Sequence, residues 1–372
     1  MRTKSTYLSN LNRALSFGLL NLALVTPALG QTTTMPPSTV EAAAIGGSQQ
    51  AQIVSFVDHW GDRALGTDSQ QAARAQTKLL EPMIHPRVSI SFRRAYSDAL
   101  GSVFDQLETN GDVGSTLFAL RLSGELGSTR GTQMILSGLE NADRGVQIFA
   151  AGRAGRSFRT TSVNGPAMAA NDLNKLISKL DSITNTTDDL ALTSACVQAL
   201  AQGCSLPSDD FLAARAECIS IMCDAASKQL TTGKSDIESR VRMSMLASGA
   251  ATNSLLQVGE DSTHEAIKSA VGLGANMISI ALSEVIAGTM PGVDDRGLQI
   301  TLVRSGESLL YFALREHAEL NGRPASGVEQ TAFADLLETG DDRNFRNKTA
   351  LLLGPGSPIV TDFDFADDEF VH

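Results

Sequence analysis

A stretch of small-residue helix that occurs twice most constrains what this chain can fold into. Leu117-Phe118-Ala119-Leu120 followed by Ser123-Gly124 returns as Ile148-Phe149-Ala150-Ala151 followed by Ala154-Gly155, an offset of 31 residues. A fixed offset in helical sequence predicts stacked helix pairs, because each pair buries its apolar face against the next. Gly127 and Ser128 end the first copy, an apolar run follows at Met134, Ile135 and Leu139, and the unit closes near Asn141-Ala142-Asp143. The unit is therefore helix, tight turn, helix. In the second copy, Leu173, Leu176, Ile177, Leu180 and Ile183 take the i, i+3, i+4, i+7 spacing of a core-facing stripe, in a helix approached through Gly165-Pro166. A weaker third copy starts at Leu192, with Ala195, Cys196, Ala199 and Leu200, at an offset of 44 residues, so the period is not strict.

The segments Phe118-Ala119-Leu120-Arg121-Leu122-Ser123-Gly124-Glu125-Leu126-Gly127 and Phe149-Ala150-Ala151-Gly152-Arg153-Ala154-Gly155-Arg156 resemble HEAT-type helical repeats, in particular the short bacterial kind. The resemblance covers about residues 112–203 and lacks the proline usual in the first helix of that family. It implies an all-α, solenoid-like array of helix hairpins that binds other proteins, catalytic members being few. The alternative architecture is an irregular all-α bundle.

Residues 1–30 have the three-part layout of a secretory signal peptide: Arg2, Lys4 and Arg13, then the apolar run Ala14 to Val25, then Ala28-Leu29-Gly30. The run is shorter than the ~20 residues needed to span a bilayer. Export to the periplasm or the medium is the expectation. Removal of this segment leaves 27 Lys+Arg against 41 Asp+Glu, a net charge of −14, which argues against nucleic acid as a partner. Strand signals are nearly absent.

Further boundaries come from composition. Residues 31–50, with Thr-rich, Pro-Pro and Gly-Gly stretches, read as a flexible linker, and 51–110 as N-terminal helices. These helices are placed at Gln52–Leu65, from Thr67 with a Thr67/Gln70 capping box, and from Pro86. The helix from Pro86 carries Val88, Phe92, Ala95, Tyr96, Ala99, Val103, Phe104 and Leu107 on one face, and Arg93, Arg94, Asp98 and Asp105 on the other. Residues 111–290 form the HEAT-like region, including a helix from Asp210 to Leu230 and another opened by a Ser262/Glu265 capping box. The apolar run Ala270–Met290 holds Asn276 and Glu284, and a carboxylate in hydrocarbon is costly, so it reads as a buried helix and not a membrane span. C-terminal helices occupy 291–353, among them Leu298–Leu320 and Val328–Leu337, the latter capped by Ser326 and Glu329. Residues 354–372, with five acids from Asp362 to Glu369, read as an acidic disordered tail.

All four cysteines, Cys196, Cys204, Cys218 and Cys223, fall within 28 residues, and export predicts disulfide bonding. In an antiparallel hairpin Cys196 and Cys218 lie at comparable heights, about 11 and 14 Å from the turn, and form the candidate pair. Four cysteines permit three pairings, so the connectivity stays open; zinc is a rival reading, weakened by the missing C-x2-C spacing, and a buried pair of inert thiols is the third. The acid pairs Asp188-Asp189, Asp209-Asp210, Asp294-Asp295 and Asp341-Asp342 each precede a helix and are read as caps, not catalytic dyads. Thr232-Gly233-Lys234-Ser235 lacks the first glycine and preceding strand of a phosphate loop. Neither H-E-x-x-H nor G-x-S-x-G occurs, and the five histidines are scattered. No catalytic residue, metal or cofactor is assigned.

One charge feature stands out. From Arg74 to Arg159 there are 11 basic and 8 acidic residues, leaving −17 for the rest of the mature chain. Arg121, Arg144, Arg153, Arg156 and Arg159 are the candidate binding residues, a strip suited to an acidic partner segment or to the protein's own tail. The function expected is that of an exported binding or scaffold protein that recognises another protein or an acidic segment. The alternatives are a secreted hydrolase or lyase with dispersed acids, and a structural envelope component that self-assembles into a homo-oligomer.

Overall fold

The structure is a computed structural model and describes residues 34–233, 236–258, 263–287, 293–324 and 330–370. The chain divides into two compact units, Met1–Thr34 and Met35–His372, and the described helices all belong to the second. The expected signal peptide, residues 1–30, lies outside the described residues.

The second unit is all-α. Among the described residues no strand forms, and the isolated β-bridge joins Ser128 to Ala167. Helices α1 (Pro37–Val40), α2 (Gly47–Ala64), α3 (Ser69–Leu80), α4 (Ile90–Ala99) and α5 (Gly101–Asn110), with a 3-10 turn at Glu81–Ile84, enclose a first core. That core contains Phe56, Trp60, Phe92, Tyr96, Phe104 and Phe118. Three expectations are corrected here. The segment expected to be a flexible linker (31–50) is tied down from residue 36 onward: Val40 is buried, the Ser89 amide donates to the Val40 carbonyl, and the Ser89 and Ser91 hydroxyls donate to the carbonyls of Ala42 and Ala43. The cap of α3 is Asp68 and not Thr67, because its carboxylate reaches the Gln70 and Gln71 amides at 3.0 and 3.1 Å. The helix expected from Pro86 begins after the Ser89 cap and bends at Leu100, where α4 gives way to α5. Its apolar face is buried as the spacing requires, but Arg93 is buried with it, at 0 % exposure.

From residue 113 the chain forms α6 (Val113–Leu126), α7 (Thr129–Leu139), α8 (Arg144–Asn164), α9 (Ala170–Thr186), α10 (Leu190–Gly203), α11 (Ser208–Thr232), α12 (Ile237–Val258), α13 (His264–Ala287) and α14 (Val293–Leu320). Their contacts fall into two rows. The even-numbered helices touch in succession from α6 to α14, the odd-numbered ones from α7 to α13, and most sequence neighbours touch across the rows. The two copies of the small-residue segment lie on α6 and α8, the third on α10, side by side. Small residues set the spacing: a Cβ on Gly155 of α8 would meet the Ala199 Cα of α10 at 3.0 Å, and one on Gly274 of α13 would meet the Gly306 carbonyl of α14 at 2.9 Å.

Helix α13 is the described helix long and apolar enough to cross a membrane, and 67 % of its apolar window is buried. It packs between α11 and α14, with Asn276 donating to Ser227 Oγ at 2.6 Å. Ser262 of its expected capping box lies outside the described residues, and Thr263 Oγ1 accepts from the Ala266 amide.

After α14 come α15 (Phe333–Thr339), α16 (Asp342–Leu353) and α17 (Pro358–Asp362). The expected cap at Ser326 and Glu329 lies outside the described residues. Helix α15 starts at Phe333, where the Glu307 carboxylate of α14 accepts from the Phe333 and Ala334 amides. The tail expected to be disordered packs as far as residue 370. Ile359, Val360, Phe363 and Phe370 are buried in the main core, Lys268 Nζ lies 5.4 Å from the Phe365 ring centroid, and Ser279 Oγ donates to the Phe370 carbonyl. The acids alternate with apolar residues here, so one side of the segment faces water while the aromatic side docks.

Candidate functional site

A groove of about 770 Å³ lies along the even-numbered row, over α8, α10 and α12. Arg156 and Arg159 reach it from α8, Gln198 and Gln202 from α10, and Asn253 and Gln257 from α12. Each set is spaced three or four residues apart, which keeps its members on one helix face. The opposite faces carry the apolar stripes, with Phe158, Leu200 and Leu255 buried. Asn253 also lines a second hollow of about 330 Å³ between α12 and α14, so the concavity continues along the row.

The five candidate arginines do not form one strip. Arg144 is a structural clamp, bonded to Asp189 at 3.0 Å, Thr187 at 2.7 Å and Gln147 at 2.8 Å, and it ties the start of α8 to the α9–α10 connection. Burial works to raise the Asp189 pKa, but the Leu192 amide and Arg144 outweigh it and hold the carboxyl low. Arg156 binds Glu125 of α6 at 2.6 and 2.8 Å. Arg153 lies 4.7 Å from the Phe149 ring centroid, its Nε is buried without a partner, and desolvation lowers its pKa, aided by Arg121 and Arg156 and opposed by Glu125. Arg121 and Arg159 are exposed and bond to no described residue. Arg156 and Arg159 therefore belong to the groove, Arg121 and Arg153 flank it, and Arg144 lies elsewhere.

Two arginines that the sequence did not flag are buried instead. Arg93 donates to the Leu126 carbonyl at 3.0 Å and to the carbonyls of Asn164 and Gly165, the C-terminal ends of α6 and α8. Those ends carry partial negative charge, which compensates the cation. Burial lowers its pKa to about 10, and Arg94 adds to the effect. Arg215 of α11 is 4 % exposed and lies behind the groove, with Nε donating to Ser254 Oγ at 2.7 Å and Nη2 to the Ser254 carbonyl and to Gln257 Oε1. No local spacing rule marks either one, because their partners lie 33 to 72 residues away.

The cysteine pairing is corrected. All four cysteines are buried free thiols. The Cys218 sulfur packs against Gly203, where an added Cβ would meet it at 2.5 Å. Gly203 is seven residues past Cys196, about 10 Å along α10, so the expected partner is out of reach. Burial pushes the Cys196 and Cys204 thiols up to about 12 and those of Cys218 and Cys223 well above the usual value, which makes all four poor nucleophiles.

A titratable cluster lines a cavity of about 260 Å³ beside α14, containing Glu307, Tyr311, His317, Arg323 and Asp362. Tertiary structure brings His264 and His317 to 5.3 Å between ring centroids, with Phe363 at 4.4 Å from His317. These groups serve the fold: Glu307 caps α15, Arg323 faces Asp362 at 3.8 Å, and His317 packs against the docked C-terminal segment. Asp189 and Asp341 cap α10 and α16, whereas Asp209-Asp210 and Asp294-Asp295, expected to precede their helices, fall inside the first turns of α11 and α14. Among the described residues no group of His, Cys, Asp and Glu is arranged to hold a metal ion.

The chain matches no family model and no curated protein. Among solved structures it is similar to an engineered protein from a structural genomics consortium, at 16 % identity and a TM-score of 0.30, over 90 % of this chain and 94 % of the other. A likeness of that degree leaves the resemblance to HEAT-type repeats resting on the residues that suggested it.

Proposed function

We propose that this protein is a non-catalytic binding module, a solenoid-like array of helix hairpins that holds an extended segment of another protein in the groove of its even-numbered helices. One observation carries the reading: two amide pairs, Gln198/Gln202 and Asn253/Gln257, stand one turn apart on consecutive helices of the same row and open into one concavity. A side-chain amide offers a donor and an acceptor without charge, which matches the alternating N–H and C=O groups of an extended peptide. Helices about 9 Å apart make the path from α8 to α14 nearly 30 Å, long enough for about eight extended residues. Export, which rests on residues 1–30, places the partner in the periplasm or outside the cell.

The test is selection of eight-residue peptides by display on the purified protein, followed by titration against Gly152→Trp. Gly152 lines the groove and has open space around it, so the indole fills the groove without disturbing the core. Selected peptides should lose binding to this variant while its circular dichroism and melting stay those of the parent. Peptides that bind the variant unchanged would remove the assignment.

A further inference from the structure

We propose that the groove contains a carboxylate subsite centred on Arg159, with Gln257 as a further donor along the same groove, so that the bound segment presents an aspartate or glutamate there. The proposal rests on the reading of the groove as a peptide-binding surface. In a chain of net charge −11, the groove is lined by Arg156 and Arg159 and by no aspartate or glutamate. Arg156 is already engaged by Glu125, which leaves Arg159 as the groove cation with no partner among the described residues.

The orientation of Gln257 is set by the chemistry beneath it. Guanidinium groups only donate, so the amide atom facing Arg215 Nη2 at 3.3 Å must be the oxygen. Gln257 is exposed on its other side, so its NH₂ group is the part offered to the groove. Ser254 is committed as well: its hydroxyl accepts from Arg215 Nε and donates to the Cys204 carbonyl at 3.0 Å. At this point the floor thus presents donors.

Arg215 has no carboxylate partner among the described residues. Desolvation lowers its pKa, yet a guanidinium stays charged at neutral pH. A buried, uncompensated cation projects a positive potential further than a solvated one, because little high-dielectric water lies around it to screen the field. The planar fork of Arg159 complements the two oxygens of a carboxylate, and the Gln257 NH₂ adds a neutral donor further along the same groove.

The experiment uses the full chain and two pools of eight-residue peptides, random except at a fixed central position that holds Glu in one pool and Gln in the other. The Glu pool should bind about tenfold tighter at low salt, the weight of one charge-assisted contact. That preference should vanish in Arg159→Gln, whose side chain is exposed, weaken in Gln257→Met and invert in Gln257→Glu; because Gln257 also accepts from buried Arg215, circular dichroism and melting are read beside binding for the last two. Equal binding of both pools to the parent protein would overturn the carboxylate subsite and leave the groove standing. Failure of both pools to bind would remove the groove reading and the subsite with it.

Discussion

The first core, around α2 to α6, and the core enclosed by α8 to α14 reach the same dryness by opposite means. In the first, large rings fill the space: Phe92 stacks on Tyr96 at 5.3 Å and Phe56 lies 6.3 Å from Tyr96, with Trp60, Phe104 and Phe118 around them. Between α8 and α14 the described buried aromatics are Phe158 and Phe211, and the space is closed by bringing backbones together at alanine, glycine and serine. Each region is therefore vulnerable to a different change. An aromatic core suffers when volume is removed, and a small-residue seam suffers when volume is added.

The sharpest test of that contrast is Phe92→Ala, which should destabilise by about 3–5 kcal/mol through the cavity it leaves, as measured by urea denaturation. Arg93→Met comes next, at about 2–3 kcal/mol, because the buried Leu126 carbonyl and the half-buried carbonyls of Asn164 and Gly165 lose their donor. In the second core, Gly274→Ala adds one methyl against the Gly306 carbonyl and Leu310 and should cost about 1–2 kcal/mol. If that methyl is accommodated without loss, close approach is not what holds α13 to α14. The control is Gly152→Ala, whose methyl meets nothing within 4 Å on an exposed helix face, and which should stabilise by about 0.5–1 kcal/mol.

The smallest effect concerns pH. Burial, then His264 and Arg323, lower the His317 pKa below its ordinary 6.5, so the unfolded chain binds this proton more readily than the folded one. The stability it allows is complete above pH 6.5 and declines as pH falls from there towards the lowered folded value. Melting temperatures of the parent and of His317→Gln should therefore diverge less at pH 5 than at pH 8. A gap that widens on acidification would show that protonated His317 is favoured by Asp362 or by the face of Phe363.

Much of this was legible in the chain and some was not, for identifiable reasons. The stripe from Leu173 to Leu180 is buried as its spacing requires, and helices stand where the copy from Leu192 and the opening near Glu265 were expected. The docked tail was misread because its acids outnumber its aromatics, although burial is decided by the face that Phe363 and Phe370 share. Thr67 and Asp68 compete for one cap, and composition does not choose between them. The amide pairs of the groove were present as i, i+4 spacings at 198/202 and 253/257, a signal too common to single out until α10 and α12 are known to be neighbours.

The sequence by itself determined the helical class, the small-residue seams and the caps at Asp189 and Asp341, because these depend on residues within a turn or two of each other. Tertiary structure alone decided which charges are buried. Arg93 and Arg215 have no carboxylate partner among the described residues, and they are held by helix-end carbonyls, a hydroxyl and an amide that only the packed rows bring within reach. Hydrogen bonding to such distant groups lets a cation leave water, and no local pattern encodes it.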